Sequence, residues 1–289
     1  MAIKPLDLSV KANVRQVLAD NNLFPKKNLG QNFLTDSHVL AKILAAADVC
    51  RDDLVIEVGP GLGVLTRELA KTAGKVAAVE IDPNLAEILR QANLDLDLSN
   101  VEIINQDVLK TDLGKIIAES GFLRTKLVAN LPYYITTPII FAALEGGLPI
   151  ESLVVMVQKE VAERMLAAPS TKAYGLLTLS TAYYGKASLV ANVPPNSFFP
   201  RPDVHSAVMK IQVAPQSHIN HKTFSAITKA AFANRRKTLQ NCLFSFGGLD
   251  LSKEQVVQLL VKAGLREDIR GEALSFEDFE RLAKIVDAL

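Results

Sequence analysis

The sequence predicts an α/β fold: a doubly wound, mostly parallel sheet followed by a smaller all-helical domain. Three observations carry this. Short apolar runs alternate with helical patterns through the first half, a glycine-rich turn joins the first run to a helix, and the chain beyond residue 213 shows only helical patterning. Leu54–Val58, Val76–Val79, Val101–Ile104, Lys126–Ala129 and Leu153–Val157 have the length and apolar density of buried strands. Val64–Thr72, ending near Gly74, and Asn84–Ala92 lie between them with helical spacing. Alternation at this interval implies parallel βαβ units. Leu176–Tyr184, Ser188–Val193 and Val204–Val213 are strand-like, with no clear helix between them, and are expected as antiparallel strands at the sheet edge. Ala214-Pro215-Gln216-Ser217 then marks a boundary between residues 1–213 and residues 218–289. In the second part Ser252 with Gln255, and Ser275 with Asp278, open helices by the capping-box pattern.

The chain has 289 residues, 49% of them hydrophobic and 22% charged. That length fits two domains and buries enough surface to need neither a disulfide nor a membrane anchor. No apolar run is long enough to span a bilayer, and Met1–Val10 has neither the apolar core of a signal peptide nor the bias of a transit peptide. Cys50 and Cys242 stand far apart, outside any Cys-x-x-Cys spacing, which reads as reduced thiols in a cytoplasmic protein. A net charge of +1 says little, but its distribution says more. From Val204 to Leu249 there is no Asp or Glu, while Lys210, Lys222, Lys229, Arg235, Arg236 and Lys237 fall there. Glu80–Asp112 carries eight acids against Arg90 and Lys110. The first stretch suits a phosphate backbone, the second the hydroxyl and amino groups of a small ligand. His218-x-x-His221 lacks further Cys or carboxylate partners, so it reads as a loop and no metal is expected.

Glu57-Val58-Gly59-Pro60-Gly61-Leu62-Gly63 follows the first strand and opens a helix. Glycines let the backbone turn sharply and approach a ligand closely. The spacing discriminates among ligands. A dinucleotide fingerprint needs Gly-x-Gly-x-x-Gly, whereas here the third glycine comes one residue early, and no Walker lysine follows. Gly-x-Gly-x-Gly preceded by an acid resembles the S-adenosylmethionine (SAM) loop of Rossmann-like methyltransferases. The second strand ends in Glu80-Ile81-Asp82, where a carboxylate accepts ribose hydroxyls. The third leads to Asp107-Val108, placing a carboxylate for an adenine amine and a backbone N–H for the ring. Alone, the loop also fits a plain strand-to-helix turn and Glu80 a solvated strand end. The ordered set favours the cofactor.

Asn130-Leu131-Pro132-Tyr133 follows the fourth strand. SAM brings an electrophilic methyl, so neither a metal nor a covalent nucleophile is required. The difficulty lies in an adenine amine whose lone pair is delocalised into the ring. The Asn130 side-chain oxygen and the Leu131 carbonyl suit the two amine hydrogens, Pro132 stiffens the turn, and Tyr133 offers a face for the base. Positioning is then the main catalytic effect. Extruding a structured base costs a few kcal/mol, and one stacked aromatic returns roughly 1–3 kcal/mol, so a second ring is expected. Phe199, in Phe198-Phe199-Pro200, is the candidate, with one of the two phenylalanines in the core.

Together these residues resemble the KsgA (RsmA) family of ribosomal RNA adenine dimethyltransferases, over nearly the whole chain. Lys27–Leu34 looks like its N-terminal SAM motif, Phe199–Ser206 its late aromatic–proline motif and Phe232–Leu239 a hallmark of its helical domain. His205 stands where many bacterial members have an acid. The resemblance implies dimethylation at N6 of two adjacent adenosines near the 3′ end of small-subunit 16S rRNA within a pre-assembled particle, and a role in subunit maturation. It carries cofactor contacts over to Gln31, Asn32, Leu34, Gly59, Gly61, Glu80, Asp107 and Asn130. Arg235, Arg236 and Lys237 are the candidate RNA grip, against a plain solvated helix end. Nothing in the sequence demands a dimer, so a monomer is expected. Two other readings stay open: a resistance-type enzyme acting on a 23S rRNA adenine, and a non-catalytic RNA-binding assembly factor.

Overall fold

A computed structural model describes residues 6–214, 219–246, 248–249 and 251–289. The chain forms two compact units: residues 1–162 with 187–213, and residues 163–186 with 214–289.

The first unit is built on strands β1 (Phe33–Leu34), β2 (Asp53–Val58), β3 (Lys75–Glu80), β4 (Val101–Asn105), β5 (Arg124–Asn130), β6 (Ile150–Gln158), β7 (Gly185–Val193), β8 (Phe198–Phe199) and β9 (Ser206–Val213). Seven of them form one sheet in the order β4-β3-β2-β5-β6-β9-β7, and β1 pairs with β8 separately. The pairs β2–β3, β3–β4, β2–β5 and β5–β6 are parallel, and β6–β9 is antiparallel. Every residue of β2 is buried, the acids Asp53 and Glu57 along with its four apolar residues, as expected of a central strand in a sheet covered on both faces. The helices Val64–Thr72, Pro83–Asp95 and Thr136–Glu145 make the crossovers. Chain order runs outward from β2 to β4 on one side and from β5 to β6 on the other, so the winding reverses between β2 and β5. Such a switch leaves a crevice outside the carboxyl ends of the strands. The glycine loop after β2 and Asn130 at the end of β5 both open into it.

The other end of β2 and β5 carries a buried charge cluster. Asp53 faces Arg124 in the strand register, and its carboxylate meets Arg124 Nε at 3.1 Å and Lys126 Nζ at 3.0 Å. Lys126 also donates to the Asp48 carbonyl. Burial would raise the Asp53 carboxyl, but the Cys50 N–H together with Lys126 and Arg124 holds it below its usual range.

The second unit corrects two expectations. Leu176–Tyr184 is an α-helix, not an edge strand, and it belongs with the helical unit rather than with residues 1–213. The reason is burial. Leu179 and Tyr183 lie in the helical core with Phe224, Leu259 and Phe279, and Leu177, Thr178 and Thr181 are buried as well, so the exposed positions are too few to show a helical period. Thr178 Oγ1 accepts the Gly175 N–H at 3.2 Å and starts the helix. Ser252 and Ser275 cap their helices as the pattern predicts. The boundary residues 215–217 lie outside the described residues, as does His218, while His221 lies against the rings of Tyr183 and Tyr184. Among the described residues no three His, Cys, Asp or Glu side chains gather as metal ligands, and no helix is long and apolar enough to cross a membrane.

Replacing Asp53 by Ala leaves Lys126 buried without its partner. The expected loss is roughly 3 kcal/mol in urea unfolding, at the low end for a broken buried pair because Arg124 reaches solvent. The Asp53 carboxyl is depressed on folding, so its contribution is present above the unfolded value near 3.8 and is lost as pH falls through the folded one. The acid limb of wild-type stability therefore flattens in Asp53→Asn.

Candidate active site

The carboxyl ends of β2, β3 and β5 border a cleft of about 1050 Å³, counted to its open mouth. The glycine loop forms its floor. Gly59, Gly61 and Gly63 take φ of +67°, +62° and +86°, the left-handed region that only glycine enters at little cost. A side chain on Gly63 would strike Leu89 at 2.6 Å, and one on Gly61 would press on the Phe33 ring at 3.1 Å. The loop is thus a cradle of bare backbone.

Two carboxylates stand at this end of the sheet. Glu80 is buried, and its oxygens accept from Gly61 N–H at 3.1 Å and Asp82 N–H at 2.9 Å. Burial raises its carboxyl, against which those N–H groups act. Glu57 is 1% exposed, and its Oε2 has no hydrogen-bond partner among the described residues. Burial, reinforced by the Glu80 charge, pushes it up to about 8, so it is mostly protonated at neutral pH. Two like charges at one site cannot both persist cheaply, and here the deeper one is neutral. Asp107 lines the cleft from the far end of β4, with Oδ1 accepting the Leu109 N–H at 3.0 Å. Val108 and Ile81 line it as well.

The N-terminal segment closes the cleft from the side. Gln31, Asn32 and Leu34 all line it, but the Gln31 amide is engaged within the protein. Its Oε1 accepts the Lys26 N–H at 2.7 Å and its Nε2 donates to Asp82 at 2.9 Å. Lys26 Nζ adds an ion pair to Asp82 at 2.8 Å. Asp82, which sequence reasoning passed over, therefore pins the segment. Its carboxyl is held low by Lys26, Gln31 and Asn84 against a burial that would raise it. Asp82 also caps the following helix, its Oδ1 accepting the Asn84 N–H at 3.1 Å. The contact with Lys26 is long-range and left no local trace.

Asn130, Leu131, Pro132 and Tyr133 come together at the end of β5. Asn130 Nδ2 donates to the Asn32 carbonyl at 3.1 Å, which turns its Oδ1 away from that carbonyl. Leu131 is buried, and its N–H is held by the Met156 carbonyl of β6 at 3.1 Å. Pro132 packs 3.5 Å from the Cβ position of Gly59. The Tyr133 hydroxyl lies 2.6 Å from Ser206 Oγ on β9, a tether that sequence reasoning also missed. Burial raises the Tyr133 phenol. Phe198 is the core member of its pair and Phe199 is half-buried. Phe199 pairs with Phe33 in the β1–β8 ribbon and lies under the Arg15 guanidinium, 4.9 Å from the ring centre.

The basic triplet in the helical unit divides. Arg235 donates to the carbonyls of Lys172, at 2.8 Å, and of Tyr174, pairs with Glu272 at 3.6 Å and lies over the Phe232 ring. Its guanidinium thus anchors a loop of its own unit while the side chain stays partly exposed. Arg236 and Lys237 are exposed.

The chain matches the family model for ribosomal RNA adenine dimethylase over residues 23–288. It is 48% identical over 266 residues to the ribosomal RNA small subunit methyltransferase A of Lachnoclostridium phytofermentans, covering 91% of each chain. It is 45% identical over 285 residues to that of Clostridioides difficile, covering 97% of each. A dimethyladenosine transferase from Plasmodium falciparum superposes with a TM-score of 0.76 at 27% identity, over 88% of this chain and 97% of that one. The 23S rRNA methyltransferase ErmE superposes with a TM-score of 0.67 at 28% identity, over 89% and 100%.

Glu57 gives the site a measurable pH signature. A carboxyl raised on folding contributes fully below its unfolded value near 4.5, and the contribution is lost as pH rises toward the folded value of about 8. Wild-type stability should therefore fall between pH 5 and pH 8 in urea titrations. Glu57→Gln, neutral throughout, should lose that slope.

Proposed function

The chain belongs to the ribosomal RNA adenine dimethylase family, and from that premise we propose that it dimethylates N6 of two adjacent adenosines near the 3′ end of 16S rRNA. Relatives similar to it over more than nine-tenths of their length are named for the small-subunit RNA, which supports this target over a 23S adenine. A pre-assembled small-subunit particle as substrate, a part in its maturation, a monomeric state and a cytoplasmic location complete the reading. The enzyme is SAM-dependent, as its family is. The cleft's chemistry fits that group: bare backbone at Gly59 and Gly61 for close approach, Glu80 for the ribose hydroxyls, and Asp107 with the Val108 N–H for the adenine.

The observation that carries the mechanism is the orientation of Asn130. With Nδ2 committed to the Asn32 carbonyl, Oδ1 is the end left to accept. Bound SAM supplies an electrophilic methyl on a sulfonium. Asn130 Oδ1 and the Leu131 carbonyl accept the two hydrogens of the target amine and aim its nitrogen in line. Tyr133, tethered to Ser206, and Phe199, backed by Arg15, present faces for the extruded base. The helical unit is the RNA-binding part, with Arg236 and Lys237 contacting phosphate and Arg235 shaping the surface from beneath.

Asn130→Ala should lower single-turnover methyl transfer to unmethylated small subunits by about a hundredfold or more, the scale of lost positioning. Mass spectrometry of the product RNA should show two dimethyladenosines in 16S rRNA. Methylation of a 23S adenine instead would support the resistance-type reading, and absence of any transfer by wild type the non-catalytic one. Arg236→Ala with Lys237→Ala should reduce the log–log salt slope of RNA binding by roughly 1.5–2. Arg235→Ala should chiefly lower the melting temperature.

A further inference from the structure

The Tyr133–Ile135 turn carries two aromatic rings, and the function above uses one. In a 3-10 turn successive residues project about a third of a turn apart, so the two rings address different neighbours. Tyr133 turns toward β9 and Ser206. Tyr134 turns toward the N-terminal segment, where its Cδ1 stands 3.6 Å from the Cβ position of Gly30. It lines the cleft with Gly30, Glu80, Ile81 and Asp107, yet it is 49% exposed. Burial, then the carboxylates of Asp107 and Glu80, push its phenol above the usual range, so the hydroxyl lies within the field of both acids. The backbone beneath it is fixed. The Pro132 carbonyl accepts from Ile135 N–H at 3.2 Å and from Thr136 Oγ1 at 2.9 Å.

We propose that Tyr134 caps the adenosine half of the bound cofactor, its ring closing over the nucleoside at the mouth of the cleft. This rests on the assignment of the cleft to SAM. Glu80 and Asp107 suit the polar edge of a nucleoside, but a flat base and ribose also present apolar surface, which carboxylates do not cover. A half-exposed ring beside those acids gains contact area when that surface arrives. The methyl-bearing end lies with Asn130, so Tyr134 is a positioning residue that governs affinity and residence of the cofactor. SAM and its demethylated product, S-adenosylhomocysteine, share the adenosine, and the cap treats them alike.

The test is calorimetric and stopped-flow binding of SAM and of S-adenosylhomocysteine to the full chain. Tyr134→Ala should raise Kd for both by about five- to tenfold and speed their dissociation. Tyr134→Phe, which keeps the ring, should stay within about twofold. The chain has no tryptophan and five tyrosines, of which Tyr133 and Tyr134 line the cleft, so the tyrosine emission change on cofactor binding should shrink in Tyr134→Phe. Should Tyr134→Ala melt below wild type, Tyr134→Leu keeps the bulk, removes the aromatic face and should weaken both ligands. An unchanged Kd in the alanine or leucine variant overturns the cap. So does a loss confined to SAM, which would put the ring at the sulfonium. Failure of wild type to bind either molecule overturns the cofactor assignment itself, and the cap with it.

Discussion

A carboxamide has a donor end and an acceptor end, and in this protein the Asn32 carbonyl has taken the donor end of Asn130. Everything at the site follows from that constraint. It leaves one oxygen of a neutral side chain at the end of β5, and it makes the orientation of that oxygen depend on a segment about a hundred residues away in sequence. That segment is itself held in several places. Lys26 and Gln31 fasten it to Asp82, the Phe33 ring rests on the glycine loop, and Thr35 bonds to the Ser197 carbonyl at 2.7 Å. The glycine loop and the Asn130 side chain thus share one support, and a displacement of the segment would disturb both.

The two ends of the sheet treat charge differently. At the amino ends of β2 and β5, buried Asp53 is paired with two cations, which balance its charge within the protein. At the carboxyl ends, Glu57 and Glu80 stand close together without a cation between them. Only backbone N–H groups support Glu80, and Glu57 escapes the repulsion by holding its proton. A buried acid so placed costs stability unless something binds to it. The amino end thus neutralises its buried acid with cations, whereas at the carboxyl end Asp82 is paired with Lys26 and the Glu57–Glu80 pair is not.

Much of this was legible in the sequence where the signal was local. The glycine spacing implied a backbone cradle, and three left-handed glycines form one. Apolar runs implied buried parallel strands, and β2 is buried throughout, whereas Val101–Ile104, expected buried, has no buried residue because β4 is an edge strand of the sheet. Misreadings arose where burial erased a pattern or where a residue's partner lay far off. Leu176–Tyr184 buries both of its threonines with Leu177, Leu179 and Tyr183 and leaves Leu176 exposed, so side-chain polarity does not mark its buried face and its period could not be read. Arg235 looked like its neighbours Arg236 and Lys237, but two loop carbonyls and Glu272 claim it. Tyr134 follows the motif that drew attention to Tyr133, and adjacency in sequence concealed that the turn sends them to different sides.

The sequence by itself determined the fold class and the order in which the glycine loop, the acids and Asn130–Tyr133 follow successive strands, because spacing and side-chain type fix periodicity and chemistry. Tertiary structure decided which of their atoms are available. Whether Asn130 presents oxygen or nitrogen, whether Glu57 carries charge, whether Phe198 or Phe199 faces outward and whether Arg235 can reach a phosphate all depend on partners supplied by distant segments. Hydrogen bonds and desolvation act through space, and residue spacing along the chain does not encode them.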